Sequence, residues 1–193
     1  MNSDHLELLT GDTWRTMLRE QIIPFALGAH PCADLGNDVL EVGPGPGATT
    51  DLLAAELEHL TALELDPDLA ATLRHRTRAS DTISIVEGDA SDMPFESGRF
   101  SATVSFTMLH HVGGAEVQDQ TFREICRVLR PGGLFIASDS IASEELAALH
   151  VDDTYNPVDP TSLEDRLARA GFVDVDIDSN AFGWRSHAYR PRA

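Results

Sequence analysis

Apolar positions change their period several times along the chain, and each change marks an element. Trp14, Leu18, Ile22 and Phe25 keep an i, i+4 stripe, which predicts an amphipathic opening helix over residues 12–23, ended by Pro24. DVLEV, residues 38–42, is a short buried strand. ATTDLLAAELEHL then takes helical spacing, and LTALEL, residues 60–65, is a second strand. PDLAATLRHRTR opens with Pro67 at a first-turn position and predicts a second crossover helix. TISIVEG supplies a third strand and Phe100–Phe106 a fourth. AEVQDQTFREICRVL is a third crossover helix, closed by Arg130–Pro131–Gly132–Gly133, and LFIASD is a fifth strand.

Strands alternating with helices over residues 38–139 predict an α/β fold, a parallel doubly wound sheet with right-handed crossovers. The tail reads differently. PTSLEDRLARAG carries Thr161 and Glu164 at capping-box spacing and Gly171 as a helix stop. FVDVDID alternates, valines and isoleucine one way and aspartates the other, and WRSHAYR follows a turn around Ser179–Phe182. Two strands this close form a hairpin, so one runs against the sheet. No repeat, low-complexity tract or linker interrupts the chain. The expectation is one domain over 1–193: a helical segment at 1–37, a ligand-binding core at 38–139, and a second-substrate side with a helix and hairpin at 140–193.

Composition narrows the partners. The 193 residues are 42% hydrophobic and 24% charged, the balance of an ordinary globular protein. A net charge of −18, from 14 basic against 32 acidic residues, speaks against nucleic acid or an anionic membrane as the main partner. Arg74, Arg76 and Arg78 around His75 read as a solvated helix face. Every basic residue is arginine, which removes lysine nucleophiles, Schiff bases and the phosphate-loop lysine. Cys32 and Cys126 have no metal-ligand spacing and read as idle thiols, so no metal is expected. The N-terminus lacks a basic region followed by an apolar stretch, and no apolar run approaches the roughly 20 residues of a membrane span. A cytoplasmic protein is expected.

The chemistry concentrates in LEVGPGPGATT, residues 40–50. In an open parallel sheet, ligands sit beyond the carboxyl ends of the strands, so this first strand–helix turn is the first place to look. Gly43, Gly45 and Gly47 allow close backbone approach and satisfy the dinucleotide pattern G-x-G-x-x-G/A with Ala48. Pro44 and Pro46, however, have no N–H to offer an anion. Glu41 adds negative charge to the same corner, which suits an ammonium or sulfonium better than a phosphate. Glu64, 21 residues past Gly43, has the spacing of a carboxylate that binds ribose hydroxyls. Asp89 follows the third strand, where it can accept from an exocyclic amine while the Ala90 N–H donates to a ring nitrogen.

LEVGPGPGATT, ALELDPDLAATL, VEGDASDMPF, FTMLHHV and RVLRPGGLFIASD, in this order, resemble the class I S-adenosylmethionine-dependent methyltransferases, in particular their small single-domain bacterial members. The resemblance covers residues 38–139 and, in outline, the hairpin. It implies a seven-stranded sheet of order 3-2-1-4-5-7-6 with strand seven antiparallel. It also implies S-adenosylmethionine as cofactor, with Glu41, Gly43 and Gly45 at its methionine part, Glu64 on both ribose hydroxyls, and Asp89 and Ala90 at the adenine edge. Met93 would add an apolar contact, and Phe106 and Thr107 would face the amino acid and sulfur.

Methyl transfer from a sulfonium is an in-line displacement, for which alignment in a water-free site is the main requirement. A base is needed only where the acceptor must lose a proton. His110 and His111 stand where such a base would lie, or they pack locally; His110 is the preferred choice. Trp14 and Met17 either close over the cofactor or belong to a plain core stripe. Residues 140–160 would form the acceptor side, with His150, Asp152, Asp153 and Tyr155 as polar candidates. That segment is short, so a small-molecule acceptor is expected. Two other readings stand beside this one: a nicotinamide-dependent oxidoreductase, disfavoured by the missing turn amides, and a non-catalytic cofactor-binding protein of the same fold.

Overall fold

The computed structural model describes residues 3–181 and 183–192. Helices α1 (Ser3–Thr10) and α2 (Asp12–Met17) lead through a π turn at Leu18–Ile22 into α3 (Ile23–Leu27). Then come β1 (Val39–Val42), α4 (Ala48–Ala54), β2 (Leu60–Glu64), α5 (Pro67–Thr77) and β3 (Ile83–Glu87). The second half holds β4 (Phe100–Phe106), α6 (Ala115–Val128), β5 (Leu129–Ser140), α7 (Glu144–Leu149), α8 (Pro160–Ala170), β6 (Val173–Ser179) and β7 (Gly183–Tyr189).

The strands form one sheet in the order β3-β2-β1-β4-β5-β7-β6, with β7 antiparallel to both of its neighbours. This is the expected topology. Every residue of β1 and β2 is buried, as central parallel strands covered on both faces must be. Alternate side chains feed two cores. Leu40, Val42, Phe135 and Ala137 join Phe100, Phe122, Leu163, Leu167 and Trp184 on one side. Val39, Leu134 and Ile136 join Leu35, Leu53 and Leu60 on the other. In the first core Phe135 contacts Phe122 at 6.3 Å between ring centroids and Phe172 at 5.5 Å.

Several local expectations are corrected. Pro24 does not end the opening helix; it occupies the first turn of α3, and helical geometry runs on to Leu27. The Ile23 N–H reaches back to the Leu18 carbonyl, the wider π spacing. That widened turn just ahead of the proline makes room for a ring that would press on the preceding carbonyl in a regular ladder. The stop is Gly28, at φ 57, whose amide donates to Pro24 O at 3.0 Å. The cap of α8 is Asp159 rather than Thr161: its Oδ1 accepts from the Thr161 N–H and hydroxyl at 2.9 and 2.8 Å. Pro160, preorganised for a first helical position, places the cap one residue before itself. Gly171 closes the helix at φ 105, as expected.

Arg130–Gly133 belong to β5 instead of forming a helix-closing turn. Pairing there shifts register between Phe100 and Ala102, while Gly132 and Gly133 exchange backbone bonds with Arg190. The β6–β7 turn bonds Asn180 N to Gly183 O at 2.9 Å; Phe182, part of the expected turn, lies outside the described residues. β6 keeps its alternation only from Val175 onward, because Asp174 takes φ 51 and the register slips, leaving Val173 exposed. Arg185 of β7 reaches across to Asp178 and Asp176 at 3.4 and 3.7 Å. Among the described residues no helix is long and apolar enough to cross a membrane.

Phe122 is fully buried between α6 and the sheet. Phe122→Ala should lower the unfolding free energy by about 3–5 kcal/mol in urea denaturation; an unmoved midpoint would remove this ring from the load of the core.

Candidate active site

A cavity of ≈ 580 Å³ opens where the chain leaves β1, β2, β3 and β4, within the size range of small-molecule sites. Its floor is the glycine turn between β1 and α4. Gly43, Gly45 and Gly47 have φ of 70, 54 and 84, the left-handed region that side chains avoid. At Gly43 the constraint is also steric: a Cβ there would stand 2.1 Å from Met108 Cγ. All three glycine amides are committed within the protein. Gly43 N donates to Leu63 O, Gly47 N to Pro44 O, both at 2.9 Å, and Gly45 N to Glu64 Oε2 at 2.9 Å. With two prolines lacking N–H and three glycine N–H groups used, the turn presents no anion nest.

Arg76 locks the far end of this turn. Its guanidinium donates to Pro46 O at 2.8 Å, Gly47 O at 3.0 Å and Asp51 Oδ1 at 3.0 Å. The arginine cluster on α5 is therefore partly built into the turn, which corrects its reading as a merely solvated face. Asp51 also meets Arg15 at 3.3 Å, which ties α2 to α4 and sets Trp14 in the cavity wall.

The acids divide by depth. Glu64, at the end of β2, lines the cavity and accepts from Gly45 N and from Asp66 N at 2.9 Å each. Burial raises its pKa, and these backbone bonds oppose the rise. Asp89 also lines the cavity; its Oδ1 takes both the Ser91 N–H and hydroxyl at 2.7 Å, which leaves Oδ2 for an incoming donor. Glu41 lies beneath the turn, outside the cavity wall. It is 2% exposed and accepts from Thr50 Oγ1 at 2.7 Å. Burial pushes its pKa up to about 7, the Thr50 hydrogen bond pulling the other way.

Thr107 and Phe106 line the cavity at the end of β4. Thr107 holds φ 52, a strained setting for a β-branched residue. Its amide is fixed to Ser138 O at 2.8 Å. The turn that follows is clamped from β5: Asp139 accepts from His110 N at 3.0 Å and lies 2.6 Å from His110 Nδ1. Gln118 of α6 then bonds Leu109 O at 3.1 Å and Asn156 O at 2.7 Å, and Arg166 of α8 holds Gln118 at 2.9 Å. This chain of bonds fixes the β4 turn against Asn156, whose backbone amide also donates to His110 O at 2.7 Å.

Gly43, Gly45, Glu64, Asp89, Ala90, Phe106, Thr107 and Trp14 are thus brought together around one space, with His111. Glu41, Met93, His110 and Tyr155 are not in its wall, and Met17 faces outward, 36% exposed. Met93 is buried, its amide held by Glu124 at 2.8 Å. Tyr155 stacks on His150 at 4.7 Å. Sequence reasoning missed Met108, Val112, Val117 and Thr121 as wall residues; only the helical phase of α6 could have pointed to the last two. Asp153 and Thr154 bring the 140–160 segment into the wall.

The described geometry has counterparts. Residues 40–137 match the family model "Methyltransferase domain". The chain is 37% identical over 101 residues to ribosomal RNA small subunit methyltransferase A of Methylibium petroleiphilum, covering 45% of this chain and 38% of that one. It spans less than half the length of the curated relatives it matches. Its fold is similar to that of the PH0226 protein from Pyrococcus horikoshii (TM-score 0.79, 16% identity, all of both chains). It is also similar to that of Haemonchus contortus phosphoethanolamine N-methyltransferase 2 in complex with phosphomonomethylethanolamine and S-adenosylhomocysteine (TM-score 0.74, 16% identity, 96% of this chain and 59% of that one).

Glu41 carries a testable pH signature. A carboxyl raised to about 7 when folded binds more protons folded than unfolded, so its burial costs nothing below the ordinary carboxylate range. The cost grows as pH rises toward 7 and then stays constant, reaching roughly 3 kcal/mol. Glu41→Gln, which keeps an acceptor for Thr50, should match the wild type in denaturation at pH 4 and exceed it in stability at pH 8. Parallel curves at both pH values would refute the ionisation assigned to Glu41.

Proposed function

The chain belongs to the methyltransferase-domain family, and we propose that it moves a methyl group from S-adenosylmethionine to a small-molecule acceptor in the cavity described above. The observation that carries this reading is the conjunction of a glycine turn with no spare anion donor and acids ending β2 and following β3 at the same cavity. A cationic thioether nucleoside needs a close backbone approach and carboxylates for its hydroxyls and amine. A diphosphate needs the N–H groups that this turn has already spent.

The residues suit that cofactor. The missing Cβ at Gly43 and the left-handed Gly45 open the turn to its amino-acid end. Glu64, already oriented by Gly45 and Asp66, offers its remaining lone pairs to the ribose hydroxyls. Asp89 Oδ2 and the Ala90 N–H take the adenine edge. Bound there, S-adenosylmethionine supplies the electrophilic methyl carbon. Thr107, Phe106 and Trp14 line the cavity, and Trp14 over a bound cofactor would help exclude water, which sharpens alignment and electrostatics together. His111, in the wall, is placed better than the buried His110 to touch an acceptor.

A small acceptor is favoured over RNA on charge and on shape. At −18 the protein repels a polyphosphate, and the cavity, ≈ 580 Å³, has the size of a small-molecule site. Asp153 and Thr154 would border the acceptor.

Titration with S-adenosylhomocysteine and NAD in parallel should show binding of the first alone. Glu64→Ala should weaken that binding by about 1–3 kcal/mol through lost charge-assisted hydrogen bonds. NAD binding, or unchanged affinity in the variant, would sink the assignment. With labelled cofactor in a cell extract, label should enter the low-molecular-mass fraction; transfer into RNA instead would overturn the acceptor class.

A further inference from the structure

We propose that His110, His111 and His150 form a divalent transition-metal site, zinc by preference, beside the cavity. His110 and His111 sit in the short turn after β4, and His150 follows α7; folding brings the three together. One ring nitrogen from each lies within 4.8 Å of the others. The ring centroids are 4.2 Å apart for His110–His111, 5.0 Å for His110–His150 and 4.9 Å for His111–His150. Tetrahedral zinc with Zn–N bonds of about 2.0–2.1 Å sets its ligand nitrogens about 3.4 Å apart and three imidazole centres about 5 Å apart. The ring centroids stand near that spacing, and a bound ion would draw the nitrogens, which lie within 4.8 Å of one another, closer by side-chain rotation.

The hydrogen bonds behind the rings select the ligating atom. His110 Nδ1 lies 2.6 Å from Asp139 Oδ1, and His150 Nδ1 lies 2.6 Å from Leu146 O. A carboxylate and a carbonyl only accept, so Nδ1 carries a hydrogen in both rings and Nε2 is the nitrogen left to ligate. An imidazole whose far N–H is held by a carboxylate or carbonyl is the arrangement that orients histidine ligands and raises their basicity. An all-imidazole set selects zinc and its transition-metal neighbours over magnesium or calcium, which want oxygen.

Three protein ligands leave one tetrahedral position open. His111 lines the cavity, so that position adjoins the acceptor space. On the methyl-transfer reading, on which this step rests, an acceptor bearing a hydroxyl or thiol takes that position. Its proton passes to water, and the resulting oxygen or sulfur anion attacks the methyl carbon as the cofactor's S–CH3 bond breaks and the thioether leaves with the electron pair.

The test uses the full chain stripped with a chelator and titrated with zinc chloride by calorimetry, then with cobalt(II), whose tetrahedral complexes absorb visible light. One equivalent of zinc should bind and should bleach the cobalt band. His150→Ala and the half-exposed His111→Ala, which disturbs no core, should each weaken zinc binding by about 100-fold or more. Asp139→Asn, acting through His110, should weaken it by about 10–100-fold. His75→Ala, on the exposed side of α5, should change nothing, with circular dichroism following the fold throughout. Zinc affinity in the wild type no greater than in His111→Ala, or equally lost in His75→Ala, overturns the metal site. S-adenosylhomocysteine titrated into the same stripped samples reads the other site separately. Zinc bound without it overturns the methyl-transfer reading alone; the analogue bound with no zinc overturns the metal site alone.

Discussion

The contact on which the rest of the site depends is the seating of Met108 where a Cβ of residue 43 would be, 2.1 Å from it. β1 and β4 are neighbours at the centre of the sheet, so the turns leaving them lie side by side. Met108 closes the gap and presses the β4 turn onto the glycine turn. Everything downstream inherits this placement: the left-handed Thr107, the turn carrying His110 and His111, and the bonds from Asp139 and Gln118 that hold it. The approach is settled by volume rather than by charge, since a side chain at residue 43 would have to displace Met108.

Electrostatics then works at two depths. At the cavity, Glu64 and Asp89 stay within reach of solvent and ligand. Beneath it, Glu41 is sealed off with one hydroxyl partner, and its carboxyl is held near neutrality. A protein carrying so many acids thus spends only a few of them on its site. Arg76 offsets part of this locally by binding the carbonyls of Pro46 and Gly47, a task that a planar fork performs better than a point charge.

How much of this was legible in the sequence follows from the range of the forces involved. Hydrophobic period and turn residues act over a few positions, so β1–β5, the crossover helices and the hairpin could be read directly, and the strand order came with the family resemblance. Gly43, Glu64 and Asp89 were readable because a strand-end position converts chain spacing into a shared crevice. Pro24 misled because the π turn that relieves it leaves no compositional mark. Asp159 took the cap from Thr161 because Pro160 sets where the helix begins. Arg76 looked like surface because its acceptors are carbonyls 29 and 30 residues away, which no side-chain pattern announces. His150 lies far along the chain from its imidazole neighbours, and only the closed fold shows them as a group.

The outermost strand has a consequence for the molecule in a crowd. An open sheet edge offers unpaired amides and carbonyls to any other chain, the first step of edge-to-edge aggregation. β6 meets that hazard with Asp174, Asp176 and Asp178, with a backbone kink at Asp174, and with an arginine one strand further in that neutralises two of the three from behind. A strand added along β6 would meet a bent seam bordered by carboxylates.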